Sequence, residues 1–185
     1  ISKKLVDRYY QERAIRRVSE SFEKDRERKA LLVMATGSGK TRTVIALTDL
    51  LLRCNWAKRV LFLADRVSLV NQAVKNFKKF LPDTAPVNLV TEKTTEGRVY
   101  LSTYPTMMNL IDEMREGQKR FGVGHFDLVV IDEAHRSVYQ KYGAIFKYFD
   151  APLVGLTATP KEEIDHNSYG LFELDADSRR ALLAD

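Results

Sequence analysis

Ala30-Leu31-Leu32-Val33-Met34-Ala35-Thr36-Gly37-Ser38-Gly39-Lys40-Thr41 is the stretch on which the reading of this chain turns. Its first six residues are an apolar run of the length of a strand buried on both faces. Residues 36–39 form a small, glycine-rich turn, and over residues 40–53 the apolar spacing becomes helical, through Val44, Leu47, Thr48, Leu51 and Leu52. A strand, a glycine turn and a helix opening on Lys-Thr are the context of a phosphate-binding loop. Gly37 and Gly39 permit backbone angles that other residues resist, so the N–H groups of Thr36, Gly37, Ser38 and Gly39 can turn inward as an anion nest. The helix adds the positive end of its dipole. Lys40 is placed to reach the β- and γ-phosphates of a nucleotide such as ATP, and the Thr41 hydroxyl to ligate Mg²⁺. Arg42, in the same helical turn, is grouped with the nucleotide-binding residues. The pattern G-x-x-x-x-G-K-[ST] departs here at its first position, which is Met34. That position still belongs to the strand, and residues 36–41 build the nest.

Outward from the loop, strands and helices alternate. Upstream, Gln11, Ala14, Ile15, Val18 and Phe22 mark one face of an amphipathic helix over residues 7–22. Downstream, residues 59–64 read as a strand and 68–81 as a helix with Leu69, Val70, Ala73, Val74, Phe77 and Phe80 inward, ended by Pro82. Short strands are expected at residues 87–90 and 99–102. A helix is expected at 105–116, carrying Met107, Leu110, Ile111 and Met114, with Pro105 in its first turn. Residues 126–131 and 153–156 are further strands, separated by a helix on Val138, Tyr142, Ile145 and Phe149. This alternation implies crossover units, and so one α/β domain with a mainly parallel sheet flanked by helices on both faces. The domain is expected over residues 1–174, with 175–185 a polar tail or linker.

The chain has 185 residues, enough for one such domain, and 44% of them are hydrophobic. Its apolar stretches are too short for a transmembrane helix, so no membrane association is expected. No signal peptide is evident, and the initial Ile suggests a piece of a longer chain. The single cysteine, Cys54, excludes an internal disulfide and fits a reducing cytoplasm. A formal net charge of +5 suits a polyanionic partner. His125 and His166 lack Cys or His partners at metal spacing, so no zinc site is expected.

A second chemical signature is Leu128-Val129-Val130-Ile131-Asp132-Glu133-Ala134-His135, four apolar strand residues ending in adjacent carboxylates. Asp132, at the carboxyl end of the strand, can hold Mg²⁺ directly or through water. Glu133 is the natural group to orient and deprotonate an attacking water.

A phosphate loop, then D-E-A-H at 132–135, then Leu156-Thr157-Ala158-Thr159-Pro160 resembles the motif order of superfamily 2 helicases. The resemblance implies a RecA-like fold and a role for His135, Thr157 and Thr159 in coupling nucleotide state to nucleic acid and to a partner domain. It also implies that Gln11 reads the adenine edge, with Tyr9 or Tyr10 able to stack on the base. A-D-R-V-S-L-V-N-Q-A (64–73) and S-T-Y-P-T-M (102–107) resemble the superfamily's nucleic-acid motifs. Arg66 is assigned there to a backbone phosphate, with Ser102 and Thr103 as neutral donors. None of these reads base edges, so binding is expected to be independent of sequence.

A more specific resemblance is to the motor subunit of type I restriction–modification enzymes. It rests on R-Y-Y-Q-E-R-A-I (8–15), M-A-T-G-S-G-K-T (34–41), F-L-A-D-R-V-S-L-V-N-Q-A (62–73), S-T-Y-P-T-M-M-N (102–109), and the run from Phe126 through H-R-S-V-Y-Q-K-Y-G (135–143). It continues through L-T-A-T-P-K-E-E-I-D-H-N-S-Y-G-L-F-E-L (156–174). This resemblance implies an ATP-driven translocase on double-stranded DNA, acting with an upstream nuclease domain and a second RecA-like domain. It further implies methyltransferase and specificity subunits as partners. The separated Asp and Glu-x-Lys of that nuclease class are not found in this sequence. A strand-separating DNA or RNA helicase is the competing enzyme reading, and a nucleotide-gated binding module without catalysis is the competing non-enzyme one.

Overall fold

The computed structural model describes residues 1–94 and 96–158. Calls that fall on Thr159, on residues 161–174 and on the 175–185 tail lie outside the described residues.

Among the described residues, eight strands and five α-helices follow one another in near alternation: α1 (Tyr9–Glu23), β1 (Lys29–Val33), α2 (Lys40–Arg53), β2 (Val60–Ala64), α3 (Val67–Phe80), β3 (Val87–Asn88), β4 (Val99–Thr103), α4 (Tyr104–Leu110), β5 (Met114–Arg115), β6 (Gln118–Lys119), β7 (Leu128–Ile131), α5 (Arg136–Tyr148) and β8 (Leu153–Thr157). Six strands make one sheet in the order β1-β8-β7-β2-β4-β3, and every pairing in it is parallel.

The period-two alternation of the strands divides their side chains between two cores. Ala30, Leu32, Val60, Phe62, Val130 and Val154 face the core shared with α1, α2 and α3. Their neighbours Leu31, Leu61, Leu63, Val129, Ile131 and Leu153 face the core shared with α4 and α5. A strand buried on both sides must be apolar at every position, which is why these segments read as runs and not as alternations. The architecture is the RecA-like α/β arrangement expected from the sequence, with a parallel sheet and helices on both faces.

Helix α1 buries Gln11, Ala14, Ile15, Val18 and Phe22, the face given by its periodicity. One element differs in kind. The helix expected at 105–116 stops at Leu110, and Met114 is exposed in a small antiparallel hairpin with β6. Glu116 and Gly117 both take positive φ (50° and 78°), the geometry of a tight two-residue hairpin turn. That turn reverses the chain where the apolar spacing alone would have carried the helix on. The strand expected at 87–90 is cut to Val87–Asn88, because the Asn88 side-chain oxygen accepts from the Val90 N–H and starts a turn.

Because the main sheet is parallel, the carboxyl ends of β1, β2, β4, β7 and β8 share one edge, where ligands of open α/β sheets bind. The phosphate loop, Arg66, Thr103, Asp132 and Thr157 all follow or end those strands.

Candidate nucleotide site

Met34 completes β1: it is buried, and its N–H donates to Thr157 O at 3.0 Å, extending the β1–β8 ladder by one step. The loop turns only after that, with Ser38 N–H donating to Ala35 O at 3.1 Å. Gly37 and Gly39 have φ of 80° and 89°, and Gly39 is the left-handed residue from which α2 starts. A Cβ on Gly39 would lie 2.5 Å from Gln11 Nε2, the tip of a flexible side chain that would have to shift, and it is the left-handed angle that requires glycine.

Helix α1 supports the loop from below through its carbonyls. Tyr10 Oη donates to Ser38 O at 2.8 Å, and Gln11 Nε2 donates to Ser38 O at 3.3 Å and reaches Gly39 O at 3.5 Å. Arg8 Nη1 in turn donates to Tyr10 Oη at 2.7 Å. With carbonyls held on the inner side, the first-turn N–H groups of α2, which no helical carbonyl can reach, remain for an anion.

The second half of the site hangs from β7. Asp132 N–H donates to Leu63 O on β2 at 2.9 Å, and Ala134 N–H donates to Leu156 O on β8 at 2.8 Å. Between them Glu133 takes φ 53°, a left-handed angle costing a non-glycine residue about 1–3 kcal/mol, held by these flanking bonds. Glu133 N–H donates to Asp132 Oδ1 at 3.0 Å. The Glu133 carboxylate meets Lys40 Nζ at 3.8 Å through one oxygen and His135 Nε2 at 2.9 Å through the other. That contact joins the loop after β1 to the acids after β7. Burial pushes the Asp132 carboxyl above the ordinary aspartate range and the neighbouring Glu133 charge pushes it further, against the opposing pull of the Glu133 N–H and Lys40.

Two cavities flank the loop. One of about 350 Å³ is lined by Arg8, Tyr10 and residues 34–38. The other, about 600 Å³, runs from Gly37, Gly39, Lys40, Thr41 and Arg42 to Gln72, Asn76, Lys79 and Phe80 of α3. Arg42 places its guanidinium carbon 5.1 Å from the centre of the Phe80 ring. The α3 residues were not singled out from the sequence. Their spacing, the polar side chains Gln72, Asn76 and Lys79 at i, i+4 and i+7 along one face of an amphipathic helix, is the signal that could have found them.

The remaining predicted site residues are placed less uniformly. Tyr9 is 78% exposed and lines neither cavity, whereas Tyr10 is bonded to the loop. Gln11 is buried, with its amide nitrogen committed to the loop carbonyls and its Oε1 without a hydrogen-bond partner. In this geometry Gln11 supports the loop through its amide nitrogen while its Oε1 acceptor is uncommitted, and the adenine contact expected there is kept as a proposal. Ser102 is fully buried, with Oγ donating to Thr103 O. Thr103 is buried too, and its Oγ1 caps α4 by accepting from Thr106 N–H. Arg66 is exposed and stands beside Asp65 at 3.9 Å. Thr157 is buried at the end of β8, with Oγ1 donating to Ala158 O.

The fit to a nucleotide with Mg²⁺ can be judged from the donors themselves. Ser38 Oγ is buried without a partner beside the nest, and Lys40 supplies a cation. No cluster of three metal-ligating side chains occurs among the described residues. Mg²⁺ bound through phosphates asks for only one or two carboxylates, so Thr41 with Asp132 fits that ion and not a protein-caged one.

Residues 4–162 match the family model described as "Type III restriction enzyme, res subunit". The chain belongs to this family. The chain is also similar to subunits of type I restriction enzymes. The EcoAI endonuclease subunit of Escherichia coli is 37% identical over 171 residues, covering 89% of this chain and 21% of that one. The EcoKI endonuclease subunit of Escherichia coli K12 is 33% identical over 178 residues, covering 83% and 15%. Among solved structures, a fragment of the HsdR subunit of a type I restriction enzyme from Vibrio vulnificus YJ016 superposes with a TM-score of 0.68 at 28% identity, over 91% of this chain and 29% of that one. This member of the family is therefore a superfamily 2 helicase-like RecA domain homologous to the motor region of type I R subunits. It spans about a fifth or less of the length of the curated relatives named. No helix among the described residues is long and apolar enough to cross a membrane.

Proposed function

We propose that this domain binds ATP with Mg²⁺ and, as the first motor domain of a type I restriction enzyme R subunit, hydrolyses it to drive movement along double-stranded DNA. The observation that carries the reading is the 3.8 Å approach of Lys40 Nζ to Glu133 Oε1. It brings a cation rooted in an anion nest and a candidate base to one place on the sheet's carboxyl edge. Lys40 and the α2 amides hold the phosphates, and Glu133 orients a water and takes its proton. Thr41 and Asp132 would hold Mg²⁺, which neutralises phosphate charge when bound. His135, hydrogen-bonded to Glu133, can register a change at that carboxylate and pass it outward, and Thr157 and Thr159 stand in the proposed coupling set with it. Arg66 supplies a sequence-independent contact to a DNA phosphate. The rest of the machine is part of the same proposal: a nuclease domain and a second RecA-like domain in the polypeptide, with methyltransferase and specificity subunits beside it.

The test uses the intact R subunit assembled with its partners. Lys40→Ala is expected to abolish ATP-driven displacement of a DNA triplex while specific DNA recognition by the other subunits persists. Glu133→Gln is expected to bind ATP with little change and lose hydrolysis by about 100-fold or more, the usual weight of a general base. Undiminished triplex displacement by Lys40→Ala would sink the proposal. Displacement of a labelled single strand in place of a triplex would assign the domain to strand separation.

A further inference from the structure

Tyr104 is the buried titratable group closest in connectivity to the hydrolytic carboxylates, and the mechanism above gives it no part. It has no solvent exposure, and its ring lies flat on Tyr142, with centroids 5.2 Å apart and planes inclined by 12°. Phe146 meets the same ring edge-on at 6.4 Å. The phenol oxygen donates to the main-chain oxygen of Asp132 at 2.7 Å. A tyrosine so packed has little rotamer freedom, and its hydroxyl sits where two aromatic contacts from α5 put it.

The bond falls at the one place in the site where the backbone is strained. The Asp132 carbonyl belongs to the peptide that leads into Glu133, and Glu133 is the residue at φ 53°. Main-chain bonds to Leu63 and Leu156 hold the two ends of this turn, but neither engages the Asp132 carbonyl. Rotation of that peptide about its flanking bonds would swing the Glu133 side chain away from Lys40. Burial pushes the Tyr104 phenol far up, so the hydroxyl keeps its proton and stays a donor at any pH the fold survives.

We propose that Tyr104 is a positioning residue for hydrolysis: its hydroxyl clamps the Asp132–Glu133 peptide in the left-handed turn that aims Glu133 at the phosphate site. The inference rests on the proposed role of Glu133 as the base. Tyr104 touches no substrate atom. Its effect is on the fraction of time that Glu133 is held in place, so it acts on turnover and not on nucleotide affinity. The clamp also ties α4, which begins at Tyr104, and α5, which carries Tyr142, to the orientation of the base.

Tyr104→Phe removes the hydroxyl and keeps the ring. In the intact R subunit with its partners and DNA, kcat for ATP is expected to fall about tenfold, with KM for ATP and the midpoint of thermal unfolding nearly unchanged. Amide exchange in the segment around residues 132–134 is expected to accelerate at least tenfold, with exchange in β7 and β8 unaltered. Tyr142→Phe, which preserves the stack, is expected to match wild type, and Tyr142→Leu to reproduce part of the kcat loss. An unchanged kcat together with unchanged exchange in Tyr104→Phe overturns the proposal. So does a loss of activity that tracks a loss of folded protein or of bound nucleotide, because that outcome makes the hydroxyl a structural contact alone. Should Tyr104→Phe fail to fold, a Tyr142→Leu variant that folds with wild-type kcat and exchange overturns it equally. A wild-type R subunit without ATPase activity would remove the base role of Glu133 but leave the exchange measurement as the test of the clamp.

Discussion

Asp132 and Glu133 are adjacent in the chain and both half-buried, and for Asp132 burial has a consequence for stability. Because burial and the Glu133 charge raise its pKa, folded Asp132 keeps its proton to a higher pH than an unfolded aspartate, whose ordinary value is 3.8. The folded state therefore binds more protons across that interval, and stability falls as pH rises through it. Asp132→Asn is expected to raise Tm by a few degrees at pH 7 and to leave it unchanged below the ordinary aspartate value, as differential scanning calorimetry at both pH values would show. His125 works in the opposite sense. Burial beside Tyr100, Phe121 and Phe126, with Arg59 nearby, pushes it down to about 4 from 6.5. Between those values the unfolded chain binds more protons, so this group makes stability fall as pH drops from 6.5 to 4. His125→Phe is expected to flatten that part of the denaturation profile, measured as urea midpoints at pH 7 and pH 4.5. At this scale the order of strand, turn and carboxylates in the sequence was enough to bring Lys40 and Glu133 to one edge of the sheet, where they meet at 3.8 Å. The hydrogen bonds of Gln11 to the loop and of Ser102 to Thr103 O were not legible, because whether a polar side chain turns to its own backbone is decided by packing that no local pattern encodes.

Helix α2 was legible from residue 40 to residue 53 because a glycine turn opens it and an apolar face runs its length. The α4 region was not. There Met114 fits the helical period, and the competing signal, two consecutive left-handed residues at Glu116 and Gly117, is a matter of turn geometry that outweighs the spacing of four apolar residues. What α4 does have is a cap. Thr103 Oγ1 accepts from Thr106 N–H at 3.3 Å, and Thr103→Ala is expected to cost about 1 kcal/mol of stability, read as a lower denaturant midpoint at unchanged slope. The loop between β1 and α2 is less tolerant. Gly39→Ala meets a left-handed φ of 89° and would turn aside the Gln11 amide that supports the loop, so it is expected to weaken nucleotide binding by about tenfold or more. Isothermal titration with a nucleotide would measure it.

For the whole molecule, the site sits on the open carboxyl edge of one sheet, and the proposed second motor domain would close over it. Cation groups supplied across such a cleft account for factors of about 10³–10⁵ in phosphoryl transfer. The isolated chain is accordingly expected to bind ATP while turning it over at least about 100-fold more slowly than the intact, DNA-stimulated subunit, in a steady-state phosphate-release assay. Brisk DNA-stimulated hydrolysis by the 185 residues alone would contradict that expectation.

The strand order has a consequence for how the domain comes into being. Among the described residues, the strand that leads to the phosphate loop pairs with β8 alone, Lys29 opposite Leu153 through Val33 opposite Thr157. On a ribosome, β1 waits for more than a hundred further residues before that neighbour exists. Until then its apolar run has no ladder to join, and the loop behind it has no fixed anchor. A nascent chain that stops short of Leu153 thus carries the complete nucleotide motif in its sequence and no nucleotide site in space. Competence of the loop arrives in a single step, when β8 joins the sheet.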